Sequence, residues 1–342
     1  MSRALMVWTT LAGVVVALAL LGLVLGPVRV PLPETVRALV GAQASDPRWQ
    51  VIVTSMRLPR VLTAIAAGAG LGIAGLQMQT LFRNTLADPY VLGVSSGANL
   101  GVSVVVISSG SGFTTRLAEA GRASVVLAAT VGAALVLATV LVLARWVRSA
   151  PTLLLIGVMV GAASTAVVNV LLVYADPQRV QQYLLWGLGS FASTTWADLR
   201  LLLPVVALGL VASALTVRPL NALLLGEGYA RTMGIDVRRM RLVTVASASL
   251  LAGATTAFCG PIAFLGLVVP HLARLAAGTS DHRVVLPTAV LLGAAVALAC
   301  GIVSQFPGSS AVLPVNAVTA LIGAPIVVIV LLRSRRGVVM PQ

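Results

Sequence analysis

The chain contains no lysine; all 23 of its basic residues are arginine. The phosphate-binding loop G-x-x-x-x-G-K-[ST] uses its lysine to reach nucleotide phosphates, so this polypeptide cannot carry that loop. Charge of either sign is scarce: charged residues make up 9% of the chain against 58% hydrophobic. A soluble domain is about one-quarter charged and about half apolar. Too few polar groups exist to cover a water-facing surface, so the bilayer must be the solvent for much of the protein. Cysteine is also rare. Cys259 and Cys300 lie in apolar runs with no C-x-x-C, which excludes a disulfide framework and reads as two small buried hydrophobes. Two histidines without cysteine partners or clustered carboxylates leave no metal site to expect.

What is present is hydrophobic length. A helix needs roughly 20 apolar residues to cross a bilayer, and mean hydropathy is +1.03. By that measure the sequence predicts about ten spans, near 7–26, 61–82, 92–109, 123–144, 152–173, 198–217, 242–260, 262–279, 284–305 and 315–332. The run 262–279 contains Pro270, His271 and Arg274, so a short, bent or partly extramembrane helix is expected there. The first apolar run follows Arg3 like a signal peptide, but no A-x-A cleavage site follows, and a retained helix is expected.

The net charge of +14 could suggest nucleic acid, but in a membrane chain it suits loops facing the cytoplasm and anionic lipid. An even span count puts both termini on one side, and Arg3, Arg333, Arg335 and Arg336 place that side in the cytoplasm. Five arginines run against the rule by clustering in one outer segment: Arg29, Arg37, Arg48, Arg57 and Arg60. Two loops are long enough to fold. One is the external segment 27–60. The other is the cytoplasmic segment 218–241, expected as a short helix over 220–233, a break at Gly234, and a second short basic helix. The whole of 1–342 reads as a single transmembrane domain.

Small residues recur within the spans, including Gly68, Gly72 and Gly75, and Gly157 and Gly161 as G-x-x-x-G. Intramolecular packing is the plainer reading, a subunit interface the other. Two segments are more distinctive. The first runs from Arg57-Leu-Pro-Arg60 through the glycine-rich span and Gln77 and Gln79 to Arg83-Asn84-Thr85-Leu86-Ala87-Asp88-Pro89 and Leu92-Gly93-Val94-Ser95-Ser96-Gly97-Ala98. The second is Gly260-Pro261-Ile262-Ala263-Phe264-Leu265-Gly266 through Pro270-His271 to Arg274. Between them stand Leu184-Leu185-Trp186-Gly187-Leu188-Gly189-Ser190 and Leu225-Gly226-Glu227 through Ala230-Arg231 to Met233-Gly234. Leu321-Ile322-Gly323-Ala324-Pro325 comes near the end.

In this order, over roughly residues 50–335, the set resembles the FecCD family, permeases of ATP-binding-cassette importers for iron-siderophores, haem and vitamin B12. The resemblance implies an all-α polytopic protein with the type II importer permease fold and ten helices per subunit. It also implies a paired second permease subunit, two cytoplasmic ATPase subunits carrying ATP and magnesium, and an outer substrate-binding protein. This chain would hold no cofactor and catalyse no reaction. Arg57 and Arg60 match a docking site for acidic groups of the binding protein; interfacial helix anchors are the other reading. Asn84 and Leu86, with Ala150 and Pro151, match an internal gate, although an ordinary tight turn explains the same residues locally. The segment around Leu225, Gly226, Glu227, Ala230, Arg231 and Gly234 matches the coupling element resting on the ATPase, against a basic loop touching anionic lipid. The chain departs from the family pattern at Thr85, Gly301, Gln305, Val312 and Asn316, the lost arginine at 305 belonging to the outer docking surface of the vitamin B12 importer.

The histidines receive structural roles: His271 hydrogen-bonded at a helix end, His282 solvated in a polar turn after Asp281. The expected function is the membrane-spanning permease of an importer for an iron-siderophore or similar chelate. Haem and cobalamin are the alternatives, and the location is a bacterial cytoplasmic membrane. An ion-coupled secondary transporter is the rival class. It would show intramembrane carboxylates, whereas Asp88, Asp176 and Asp198 stand at span ends. A non-transporting structural membrane protein is a second rival, and it would need neither docking arginines nor a coupling segment.

Overall fold

The structure, a computed structural model, describes residues 3–42, 45–107, 122–144, 146–147, 149–305 and 312–336; the side chains of 122, 150 and 330–336 are outside the description. Arg145 and Arg148 also fall outside it.

Every regular element among these residues is helical. The elements are α1 (Arg3–Val24), α2 (Leu32–Leu39), α3 (Pro47–Leu81), α4 (Val94–Ile107), α5 (Arg122–Ala144), α6 (Ala150–Val173) and α7 (Pro177–Gly187). They continue as α8 (Trp196–Leu215), α9 (Val217–Leu224), α10 (Glu227–Thr232), α11 (Val237–Cys259), α12 (Leu265–Ala277), α13 (His282–Ser304) and α14 (Val315–Arg336). Among the described residues, seven helices are long and apolar enough to cross a membrane. Three shorter apolar helices lie over the remaining expected spans: 94–107, 265–277 and 315–329.

The core is built around α3, which is packed on by α8, α11, α12 and α13. Glycine makes this possible. A Cβ on Gly68 would strike the Gly293 carbonyl of α13, and one on Gly75 the Gly266 carbonyl of α12. The same device joins α4 to α5, where Gly97 and Gly132 face each other and Gly101 meets Ala128. In lipid, helices associate through close packing rather than a hydrophobic drive, so touching backbones are where this bundle gains its cohesion. The G-x-x-x-G of α6 belongs to the same pattern. A Cβ on Gly157 would stand 2.8 Å from Leu92 Cα, and one on Gly161 3.3 Å from Gly93 Cα. That motif therefore packs within the chain.

The expected spans near 92–109 and 262–279 are shortened by breaks on their N-terminal sides. At ~1.5 Å per residue, α12 with 13 residues covers only about 20 Å, and α4 is described from Val94 to Ile107. Irregular backbone precedes each: a 3-10 turn at Pro89–Leu92 before α4, and residues 260–264 before α12, with Phe264 in the left-handed region at φ 68°. Such backbone is tolerated within a bundle only when its polar groups are satisfied. Here the Tyr90 hydroxyl accepts from Ile262 N at 3.3 Å, Asn316 Oδ1 accepts from Ala263 N at 3.1 Å, and Cys259 O accepts from Ser190 N at 2.7 Å.

Both loops differ from expectation in detail. The segment 27–60, expected to be external, is partly helical, because α3 begins at Pro47 and carries a π-helical turn over Ile52–Arg57. The segment 218–241 breaks first at Gly226, at φ 111°, and turns again at Gly234, at φ 77°. Beyond Gly234 no separate basic helix forms; Arg238, Arg239 and Arg241 lie in the first turns of α11, whose N-terminus is capped by Asp236. An N-cap carboxylate and a long apolar run behind it make one continuous helix the better solution.

Candidate functional site

The motif residues gather at opposite ends of the bundle. At one end stand Arg57 and Arg60, where α3 begins its buried course. Arg57 is only 4% exposed. Its guanidinium donates to Leu23 O at 2.7 Å, Val24 O at 2.8 Å and Val28 O. The final carbonyls of a helix lack partners within it, and a cation suits the negative end of the helix dipole. Arg57 is thus the C-terminal cap of α1, a correction to its expected place on a docking surface. Arg60 is partly open and donates to Gln305 Oε1 at 2.6 Å. Gly189, Gly260 and Asn316 meet at this end too, since Asn316 N donates to Leu188 O and a Cβ on Gly260 would press on Gly189.

At the other end α3 stops at the turn 83–88. Arg83 takes the left-handed conformation, φ 47°, and its N–H donates to Thr80 O while Asn84 N donates to Gln79 O. Asn84 Oδ1 accepts from Leu86 N at 2.9 Å, which keeps the turn tight and leaves the Leu86 side chain 44% exposed. The turn is held from behind by α12. His271 Nε2 contacts Thr85 O at 2.9 Å, Arg274 donates to Gln79 Oε1 at 2.7 Å, and Gln79 donates to Leu267 O at 3.0 Å. His271 thus has a structural hydrogen bond as expected, made from the middle of α12 to the turn that ends α3. Asp88 caps the following 3-10 turn by accepting from Tyr90 N at 2.8 Å. Burial pushes its carboxyl up to about 6, against the lowering effect of that N–H.

The segment 218–241 shares this end. Leu220 and Leu223 of α9 are buried in the core, as is Ala230 of α10. Glu227 accepts from Arg241 at 3.0 Å, and Arg231 lies 3.7 Å from the same carboxylate. Arg241 also donates to Val147 O at 3.3 Å, joining α11 to the turn before α6. A cleft of about 630 Å³ opens there, lined by Trp146, Val147, Arg231, Arg238 and Arg241 among others. Pro151 is exposed in the first turn of α6, where Ser149 caps the helix; the side chain of Ala150 lies outside the description. The Arg3 guanidinium lies against Gly278 at the same end.

His282 departs from its expected solvated place. It is 1% exposed, the first residue of α13, with Nδ1 2.7 Å from Asn221 Oδ1 and Nε2 2.9 Å from Thr80 Oγ1. Its burial comes from α9 folding over it, a contact 61 residues away in sequence. Only the N-cap pattern of Asp281 followed by a long apolar run marked the position as a helix start.

The FecCD transport family matches residues 14–333. The chain belongs to that family. It is 37% identical over 304 residues to the hemin transport system permease of Yersinia pestis, covering 87% of this chain and 88% of that one. It is also 37% identical over 291 residues to the vitamin B12 import system permease of Escherichia coli O9:H4 strain HS, covering 85% and 86%. A solved chain of a metal-chelate type ABC transporter, in an inward-facing conformation, superposes with a TM-score of 0.83. It has 28% identity and covers 95% of this chain and 98% of its own. The protein is therefore a multi-pass FecCD permease, the membrane-spanning transport subunit of an ABC importer.

Against that membership four of the five departures from the FecCD pattern acquire structural roles. Thr85 offers its carbonyl to His271, Gln305 receives Arg60, and Asn316 caps Ala263 N. Gly301 leaves room beside the Phe191 ring, 3.3 Å from where a Cβ would stand.

Proposed function

We propose that this chain pairs with a second copy of itself to form the pathway for a metal chelate across the bacterial cytoplasmic membrane. An iron-siderophore is the first candidate cargo, with haem and cobalamin as alternatives, supported by relatives named for hemin and vitamin B12 and by a metal-chelate structural neighbour. Two ATPase subunits, carrying ATP and magnesium, dock on the cytoplasmic face formed by Leu225, Gly226, Glu227, Arg231 and Gly234, with Ala230 buried behind it. The cleft beside Arg231 and Arg238 receives acidic groups of that partner. A substrate-binding protein docks at the Arg60 end, and both termini are cytoplasmic. Asn84 and Leu86, with Ala150 and Pro151, form the cytoplasmic gate. ATP binding favours one arrangement of the two permeases over the other, and cargo follows the open side.

The observation that carries this reading is the gathering of the turn 83–88, the α9–α10 segment and the turn before α6 at one end of a single bundle, with Arg60 and Gln305 at the opposite end. Vesicles containing the chain with a cassette ATPase and its binding protein test it. Chelate uptake should require ATP and survive an uncoupler. Uptake without the ATPase, abolished by an uncoupler, would instead assign an ion-coupled transporter.

A further inference from the structure

We propose that Thr80, Asn221 and His282 form the hydrogen-bonded link through which movement of the coupling segment reaches the gate turn. The inference rests on the reading of 218–241 as the ATPase contact. These residues position the gate and do not touch cargo.

Asn221 sits on α9, inside the coupling segment; Thr80 is in the last turn of α3; His282 opens α13. The amide of Asn221 is oriented by its neighbours. Its Oδ1 accepts from His282 N at 2.8 Å, and its Nδ2 donates to Asp281 Oδ1 at 2.6 Å. His282 Nδ1, 2.7 Å from that same oxygen, must therefore carry the proton. In the neutral ring Nε2 is then an acceptor, and the Thr80 hydroxyl 2.9 Å away is its donor. That hydroxyl also lies 2.9 Å from Leu76 O, so its single proton is shared between a helix carbonyl and the ring.

The rest of α9 meets the core through Leu220 and Leu223, and through a long contact of 3.5 Å between Gln77 and Thr216 at its N-terminal boundary. Apolar contact is non-directional and lets a short helix roll or slide. The bonds to buried Thr80 and His282 do not, because parting Asn221 from His282 leaves the ring N–H unsatisfied in the interior. Thr80 is also the residue whose carbonyl holds Arg83 N, and Gln79 beside it holds Asn84 N. A displacement imposed on α9 thus arrives one hydrogen bond away from the turn. On the far side the turn is anchored by His271 of α12 through Thr85 O. The turn is held between one support tied to the coupling segment and one that is not.

The test uses the complete transporter in vesicles, with ATP hydrolysis and chelate delivery measured in the same preparation. Thr80→Val keeps the shape and removes the hydroxyl. His282→Asn keeps an amide donor near the Nδ1 position and cannot reach Thr80. Both should deliver at least tenfold less cargo per ATP while hydrolysis stays within twofold of wild type. Thr80→Ser should restore the wild-type ratio. A link is rejected if delivery and hydrolysis fall in parallel, if the ratio does not change, or if Thr80→Ser is as poor as Thr80→Val. Spin labels on Met233 and Leu86, each read against a label on α8, give a second measurement in the assembled complex. In wild type both labels move when ATP binds. In His282→Asn the Met233 movement should persist and the Leu86 movement fall by at least half; equal Leu86 movement in both would overturn the link. A wild-type complex with no ATP-driven delivery would overturn the underlying reading and the link with it, whereas wild-type delivery with unaffected variants overturns the link alone.

Discussion

Arg57 and Arg60 are three residues apart in sequence and do different work. The first satisfies carbonyls at the end of α1; the second is partly open and bonded to Gln305. Replacing Arg57 with alanine leaves buried carbonyls unpaired, a loss of about 2–4 kcal/mol. Thermal unfolding in detergent should show a clear drop in Tm, while the folded fraction keeps its affinity for the binding protein. Arg60→Glu should do the reverse, weakening docking at low salt with a small change in Tm. Asp88 supplies a pH-dependent counterpart. Its folded carboxyl titrates near 6, above the ordinary value of 3.8, so the fold favours the protonated form. Stability from this group is complete below the unfolded value and is lost as pH rises through the folded one. Asp88→Asn keeps the acceptor for Tyr90 N without the charge. It should stabilise the protein at pH 7, on the order of 2 kcal/mol, and make no difference near pH 3. Equal melting of the two proteins at pH 7 would refute the burial argument.

At the scale of elements, cohesion comes from backbones in contact. Gly75→Val drives a branched side chain into the Gly266 carbonyl, where neither helix can give way, and should abolish properly folded protein on size exclusion. Gly161→Ala meets nothing nearer than Gly93 Cα at 3.3 Å and Ser96 Oγ at 3.4 Å, so it should leave Tm within a few degrees of wild type. Most of the elements could be read from the sequence, because a run of ~20 apolar residues has one meaning in a bilayer. The intramolecular role of Gly157 and Gly161 was legible for the same reason, as was the shortening around Pro270. Arg57 and His282 were not. Each stands at a polar boundary that reads as solvent-facing, and each is buried by a partner distant in sequence: the end of α1 for Arg57, α9 for His282. The break at Gly226 was missed because Gly234 carried the stronger turn signal. The structure has both, with φ of 111° and 77°.

For the whole molecule, the arrangement is a bundle with two dissimilar ends joined by α3. One end presents Arg60 and the convergence of Gly189, Gly260 and Asn316. The other presents the turn 83–88, the coupling segment and Arg3. No lysine is present to complete a phosphate-binding loop, and under the proposed function the energy for uphill movement enters through contact with another protein. That places one demand on topology: the face carrying Tyr229 and Met233, both exposed, must lie in the cytoplasm. Single-cysteine labelling in intact cells tests the demand directly, since the native Cys259 and Cys300 are buried and should stay silent. A cysteine at Met233 should resist a membrane-impermeant maleimide until the membrane is opened, and a cysteine at Val28 should react at once. Labelling of position 233 from outside intact cells would contradict the account.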